Sequence, residues 1–288
     1  MYQYCGKVWS TQDMERIRVL LAEDPDASRQ RLSQRVCELF DWRAANGELK
    51  QMSCRVAMLK MHRAGLIELP PARRGPPRVY RLRDEAAVES PPLWSGSVDE
   101  LAKLELVPVV GAQLRRHWNE LVARYHYLGY KMLPGAQLRY LIRDGERDLG
   151  AMGFGAAAWK VAPRDRFIGW TAEQRSRGLH LIVGQSRFLI LPWIRCKNLA
   201  SKALSLAAKR LPVDWVAHYG FAPVCLESFV DTSRFQGTCY KAANWVAVGL
   251  TQGRGKLDRY NQFAVPVKGI WLMPLRADFR RCLTEAPA

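Results

Sequence analysis

The stretch that decides the fold runs from Arg187 to Thr251: RFLILPWIRCKNLASKALSLAAKRLPVDWVAHYGFAPVCLESFVDTSRFQGTCYKAANWVAVGLT. Its first eight residues, Arg187–Ile194, form an apolar run of a length suited to a buried strand. A basic turn, Arg195–Asn198, follows. Leu199, Ala203, Leu204, Leu206, Ala207 and Leu211 then recur at helical spacing, and Pro212 is expected to end that helix. A second apolar run, Val224–Val230, carries Glu227 and leads to Asp231. Gly237 and Thr238 open a further predicted helix over Cys239–Val248. Strand, helix, strand, helix is the pattern of a βαβ unit, so the fold class is α/β (α+β) with a mixed sheet that is parallel at least in part. Such sheets bind ligands beyond the C-terminal ends of their strands. Here those ends are the Arg195–Ser201 turn and the Glu227–Thr238 segment.

Upstream of this stretch, residues 111–124 place Leu114, Trp118 and Leu121 on one helical face. The helix breaks into YHYLGYKMLPG, an aromatic loop holding Tyr125, His126, Tyr127 and Tyr130. Strands are predicted at Gln137–Ile142 and Leu149–Ala156, across a turn at Asp144–Asp148. This α/β domain is taken to span 107–288. Residues 86–106, with Ser90-Pro91-Pro92 and Ser95-Gly96-Ser97, read as a linker.

Residues 1–85 read as a separate, winged-helix domain. Helices are predicted at 10–24, with Ile17, Leu20 and Leu21 inward; at Ser28–Phe40, with Leu32, Val36 and Leu39 inward; and at Leu49–Ala64, with Met52, Val56 and Leu59 inward. Gly65 supplies a left-handed cap for the third helix. LIEL at 66–69 and VYRL at 79–82, joined by a basic Pro-rich loop, read as the two strands of a wing. In that reading the third helix offers Lys50, Arg55 and Lys60 to a major groove, and the wing brings Arg73, Arg74 and Arg78 to phosphates. DNA is therefore the expected partner.

Composition agrees with that expectation. The 288 residues carry a net charge of +17, with basic residues in excess on both sides of residue 85. This is the electrostatic footprint of a nucleic-acid binder. The seven cysteines are odd in number and scattered, with no C-x-x-C pair or zinc-finger spacing. They read as reduced thiols, and no structural metal site is expected. No apolar run is long enough to cross a bilayer and the N-terminus lacks signal-peptide sections, so no membrane partner is expected and the cytoplasm is the expected location.

Several side chains are candidates for chemistry, each with a structural alternative. Glu227 sits inside an apolar run, where burial raises a carboxyl pKa and suits it to proton transfer; the alternative is a buried Glu paired to an arginine such as Arg187. Asp231 lies at a strand end, as a catalytic carboxylate or a turn residue. His126 is a general base, a stacking ring, or a hydrogen-bonded structural histidine. Tyr240, following Gly237 at a predicted helix start, is a candidate site residue or a packed ring. Asn244, polar within a predicted apolar helix, is either buried and bonded or in contact with a ligand. Arg254 and Lys256, in the loop QGRGK, are phosphate contacts or a solvated loop.

Five long segments carry a family resemblance: YHYLGY at 125–130, PRDRFIGW at 163–170, RFLILPWIRCKNLAS at 187–201, PVDWVAHYGFAPVCLESFVD at 212–231 and GTCYKAANWVAVGLTQGRG at 237–255. They resemble the DruA-like family, which implies a setting in anti-phage defence or mobile DNA and implies no particular reaction. A second resemblance is to the GNAT acyltransferase fold, in which a strand leads through an R/Q-x-x-G-x-G/A turn into a helix whose first amides hold a pyrophosphate. Arg195, Cys196, Lys197, Asn198, Leu199 and Ala200 stand at that place, followed by Ser201, with Asn198 replacing the first glycine. An asparagine tolerates the left-handed backbone such a turn needs. The resemblance implies an acyl-CoA-like donor held by Arg195, Lys197, Asn198, Ala200 and Ser201, and a proton donor at Tyr240; a nucleic-acid phosphate is the competing anion. Three functions follow: a group transferase acting on nucleic acid, a non-catalytic DNA-binding module that recruits a helicase or transposase, and a nuclease with Mg²⁺ on Glu227, Asp231 and Asp165.

Overall fold

The computed structural model describes residues 1–43, 47–71, 91–133, 135–253 and 265–285. The chain divides into two compact units, Met1–Val79 and Tyr80–Ala288.

The first unit opens with a hairpin of β1 (Tyr2–Tyr4) and β2 (Lys7–Trp9), followed by α1 (Thr11–Glu23), α2 (Arg29–Leu39) and α3 (Gln51–Arg63). A capping box between Ser10 and Asp13 starts α1, and the Ser28 hydroxyl caps α2. Gly65 takes a left-handed backbone, φ +70°, just past α3. Three expectations need correction. Helix α3 buries Cys54, Ala57, Met58 and Met61, leaving Met52 and Val56 exposed and Leu59 partly so. Cys54, Ala57, Met58 and Met61 lie in one core with Leu32, Val36 and Cys37 of α2, so the small and flexible side chains, not the larger branched ones, form the inward face. Leu39, at the end of α2, is also exposed. The LIEL segment is not a strand: Leu66 N–H bonds the Met61 carbonyl at 2.9 Å, and Ile67 and Leu69 turn into the helical core. The wing residues Arg73, Arg74 and Arg78 and the VYRL segment lie outside the described residues.

The second unit runs β3 (Trp94–Ser97), β4 (Leu104–Pro108), α4 (Gly111–Tyr125), β5 (Gln137–Asp144), β6 (Arg147–Ala156), α5 (Ala162–Ile168), α6 (Ala172–Gly178), β7 (Ile182–Ile190), β8 (Ile194–Lys197), α7 (Leu199–Tyr219), β9 (Cys225–Asp231), α8 (Thr238–Ala242), β10 (Val246–Leu250), β11 (Lys268–Pro274) and α9 (Phe279–Thr284). Seven strands form one mixed sheet in the order β10-β11-β9-β7-β6-β5-β4. Every neighbouring pair is antiparallel except β7 and β9, which are parallel and joined by α7. Both faces of this sheet are covered, which is why β9 reads as an unbroken apolar run. Leu226 and Val230 face the core shared with α4 and α7, whereas Cys225 faces a smaller core with Ile168, Phe279 and Leu283.

Four predicted boundaries move. Residues 94–97 are not linker; as β3 they pair in parallel with β8, so an apparently loose Ser/Gly segment is held by ladder bonds. The run expected as a strand over Arg187–Ile194 belongs to a longer β7 that begins at Ile182. Pro212 lies inside α7, which continues to Tyr219 and ends at Gly220, φ +79°. Its missing N–H forgoes one helical bond, and burial of Leu211 and Trp215 on either side keeps the helix going. The helix expected over Cys239–Val248 is only the single turn α8, because Asn244 adopts φ +62° and the chain leaves as the edge strand β10. Among the described residues no helix is long and apolar enough to cross a membrane.

Candidate functional site

The site forms where the parallel strands part. β7 and β9 are in register from Ile182 with Cys225 to Gln185 with Ser228, and no further pair follows although both strands continue. At this level β7 carries a bulge against β6: Gly153 and Phe154 pair with Arg187 and Gln185, leaving Ser186 as the extra residue that re-aims β7. The result is a wedge open toward the C-terminal ends of both strands, where α/β sheets place their ligands.

Three polar side chains close the apex of the wedge. The Ser228 hydroxyl donates to the Tyr240 oxygen at 3.0 Å, and the Tyr240 hydroxyl donates to Gln185 Oε1 at 2.7 Å. All three residues are buried, and the Tyr240 ring stacks on Trp271. Burial pushes the Tyr240 hydroxyl well above its ordinary range, so it stays protonated. Gln185 Nε2 is buried with no acceptor among the described residues. The apex therefore ends in an amide N–H₂ free to donate. In this arrangement Tyr240's own proton is already committed to Gln185.

The mouth of the wedge is basic and aromatic. Arg187, on β7, donates to the carbonyls of Gly129 and Ser186 at 2.9 and 2.7 Å. His126 is buried, stacks on Tyr127, and accepts the Leu128 N–H on Nδ1 at 3.1 Å. Burial, reinforced by Arg187 and Lys268, pushes its pKa down to about 4. The ring is thus neutral with its proton on Nε2, which makes it a donor there and removes the general-base role. Asp231, at the end of β9, accepts the Ser233 hydroxyl and N–H at 2.6 and 3.1 Å. Those bonds hold its carboxyl below the usual range, and the residue works as a turn former.

Glu227 is not a proton-transfer group. It faces the opposite side of the sheet, fully buried, with Oε2 on Arg164 Nη1 at 2.8 Å and Oε1 on the Ala158 N–H at 2.6 Å. Burial pushes the carboxyl up, and Arg164 with the Ala158 amide opposes it. The arginine partner is Arg164 of α5, not Arg187. Asp165 is held in turn by Arg164 and Arg175. Of the three carboxylates considered for Mg²⁺, Glu227 and Asp165 share Arg164 and Asp231 is engaged by Ser233. Among the described residues no group of three metal-ligating side chains forms. Asn244 is exposed and left-handed, so it terminates α8 instead of lining the site.

At the expected anion turn the chain forms strand β8, and the left-handed backbone falls on Asn198, φ +64°, directly before α7. Arg195, Lys197 and Asn198 are exposed, Ala200 and Ser201 lie in the first turn of α7, and the Ser201 hydroxyl bonds the Asn198 carbonyl at 3.0 Å. Lys50 precedes α3 without a side-chain capping bond; Lys60 is exposed on it and Arg55 half-buried. Arg254 and Lys256 lie outside the described residues. The residues sequence reasoning missed are Gln185, Ser228 and Phe235. Gln185 had a signal, a polar residue amid the apolar run LIVGQSRFLI.

The model of the family described as Druantia protein DruA matches residues 88–269. No curated protein matches the chain. Among solved structures, an aminoglycoside acetyltransferase, AAC(6')-Ib, in complex with coenzyme A is 12% identical, with 62% of this chain and 98% of that one covered at a TM-score of 0.39. FeeM, an N-acyl amino acid synthase from uncultured soil microbes, is 12% identical over 60% of this chain and 92% of that one, TM-score 0.35. An N-acetyltransferase from Staphylococcus aureus Mu50 is 7% identical over 60% and 99%, TM-score 0.36.

Proposed function

This chain belongs to the Druantia protein DruA family, and from that premise we propose that it serves anti-phage defence as a group transferase acting on nucleic acid, with the wedge between β7 and β9 as its reaction site. The observation that carries this reading is the parting of the two strands above the buried Ser228–Tyr240–Gln185 chain. A buried amide donor without an acceptor is costly unless something bonds it. Gln185 Nε2 is suited to orient an oxygen of a bound group, and Tyr240 fixes the Gln185 amide in that direction.

The donor class that fits is acyl-CoA-like. Arg195, Lys197 and the first amides of α7 would hold its phosphates, with Asn198 shaping the approach. Such a donor supplies an activated acyl group. The acceptor is DNA, for which the support is the net charge of +17 and the basic residues Lys50, Arg55 and Lys60 on α3.

The test is nucleoside mass spectrometry on DNA from cells making the wild type or Tyr240→Phe. A new mass with the wild type, lost or strongly reduced in the variant, supports the transferase and identifies the group. No new mass in either, with DNA binding intact, favours a second reading: a DNA-binding module that recruits a helicase or transposase. That reading draws on one observation, that Glu227 and Asp231 both have structural roles.

A further inference from the structure

We propose that the mouth of the wedge is a platform for one nucleotide of single-stranded DNA, in which the base stacks on Phe235, backed by Tyr127, and Arg187 takes the phosphate. This rests on the nucleic-acid part of the preceding reading and names the form of the substrate.

The cations come first. Arg187 is half-buried, its guanidinium meets only the carbonyls of Gly129 and Ser186, and no carboxylate pairs with it among the described residues. A partly desolvated cation without a counter-ion favours the arrival of an anion. Arg234 lies over the Tyr127 ring at 4.8 Å and likewise forms no ion pair among the described residues. Lys268 stands opposite Asp231 in the β9–β11 register. Three cations thus face one carboxylate, and that carboxylate is engaged by Ser233.

The rings come second. Phe235 is 51% exposed. Its ring lies 5.7 Å from Tyr127, which stacks on His126 at 4.8 Å and 26°. The loop carrying Phe235 is fixed, because the N–H groups of Arg234 and Phe235 both bond the Asp231 carbonyl, at 3.2 and 2.9 Å. An exposed ring on a braced loop, backed by a second ring and flanked by arginines, offers a π-face to a base and cations to the adjoining phosphate. A duplex keeps its base faces stacked inside the helix, so the complementary partner is a single strand or a base turned out of one.

The experiment is fluorescence anisotropy on the full chain with labelled oligothymidylate, an abasic strand of equal length and a duplex. The wild type should bind oligothymidylate about tenfold more tightly than the abasic strand. Phe235→Ala and Tyr127→Ala should abolish most of that difference and leave abasic binding unchanged, and Phe235→Leu should behave as the alanine variant. Arg187→Gln should weaken binding to both single strands and reduce the magnitude of the salt slope by about 0.7. Circular dichroism checks that each variant is folded; Phe235, being exposed, is the safest. The platform is overturned if the wild type fails to bind single strands, if folded Phe235→Ala binds like the wild type, or if a duplex competes equally through the same side chains. A nucleoside product with unaltered Phe235→Ala binding would sink the platform and spare the transferase. Ring-dependent binding with no product would do the reverse.

Discussion

Arg164 Nη1 and Glu227 Oε2 meet at 2.8 Å with neither side chain exposed to solvent. The pair joins α5 to β9 on the face of the sheet away from Tyr240, and the Ala158 backbone completes it from both sides, accepting from Arg164 at 2.7 Å and donating to Glu227 at 2.6 Å. Trp170 lies 5.6 Å from the guanidinium. A carboxylate so enclosed holds the fold together and has no route to a substrate.

Breaking that pair one partner at a time should therefore be severe. Glu227→Ala or Arg164→Ala should each cost about 3–5 kcal/mol in urea denaturation, since the remaining charge is stranded in the core. Replacing both by apolar residues of similar volume should restore much of the loss. A single variant as stable as wild type would show that the charge is relieved elsewhere.

Stability should also fall in acid through His126. Its folded pKa, about 4, lies below the ordinary value of 6.5. The unfolded chain thus binds the proton first, and the stabilisation present above about pH 6.5 is lost as pH falls toward 4, by on the order of 3 kcal/mol. Denaturation of His126→Phe across this range should show a shallower slope than wild type. Equal slopes would assign the acid sensitivity to other groups.

Tyr240→Phe should leave Ser228 Oγ and Gln185 Oε1 without their shared partner and cost about 1–3 kcal/mol, read as a lowered melting temperature. Because the ring remains on Trp271, the protein should still fold, so loss of product in this variant would report on the apex and not on misfolding.

At Asn198 the expectation differs between two small residues. Its side chain makes no capping bond, so its value lies in tolerating φ +64°. Asn198→Gly should be close to neutral, whereas Asn198→Ala should cost about 1 kcal/mol. Equal losses in thermal melts would instead mean that the amide itself matters.

The parallel β7–α7–β9 unit was legible because its apolar runs and helical repeat are strong local patterns, and the left-handed backbone at Asn198 was anticipated only through the resemblance of 195–200 to the GNAT turn. The long α7 was not legible, since Pro212 is a local stop signal overridden by burial of Leu211 and Trp215. β10 was misread for the converse reason: Ala-rich CYKAANWVAV has helical propensity, and pairing with β11 from Val246 opposite Leu272 decides otherwise. At the site, Tyr240 and His126 were visible as residues, but their hydrogen bonds were not. Gln185 and Ser228 become partners only because two strands far apart in sequence come into register, and the identity of the Glu227 partner depended on where α5 docks.

The pairing of β3 with β8 has a consequence for the order of assembly. Trp94 stands beside Ile194, and Ser97 beside Lys197, immediately before Asn198 starts α7. Contacts between such distant positions close a long loop and form late in folding. The last element to settle would then be the approach to α7, after the antiparallel hairpin of β5 and β6 has formed from its short turn. A chain shortened to begin at Leu104 would lack β3 altogether and should fold with the edge of β8 uncovered, open to pairing with another copy.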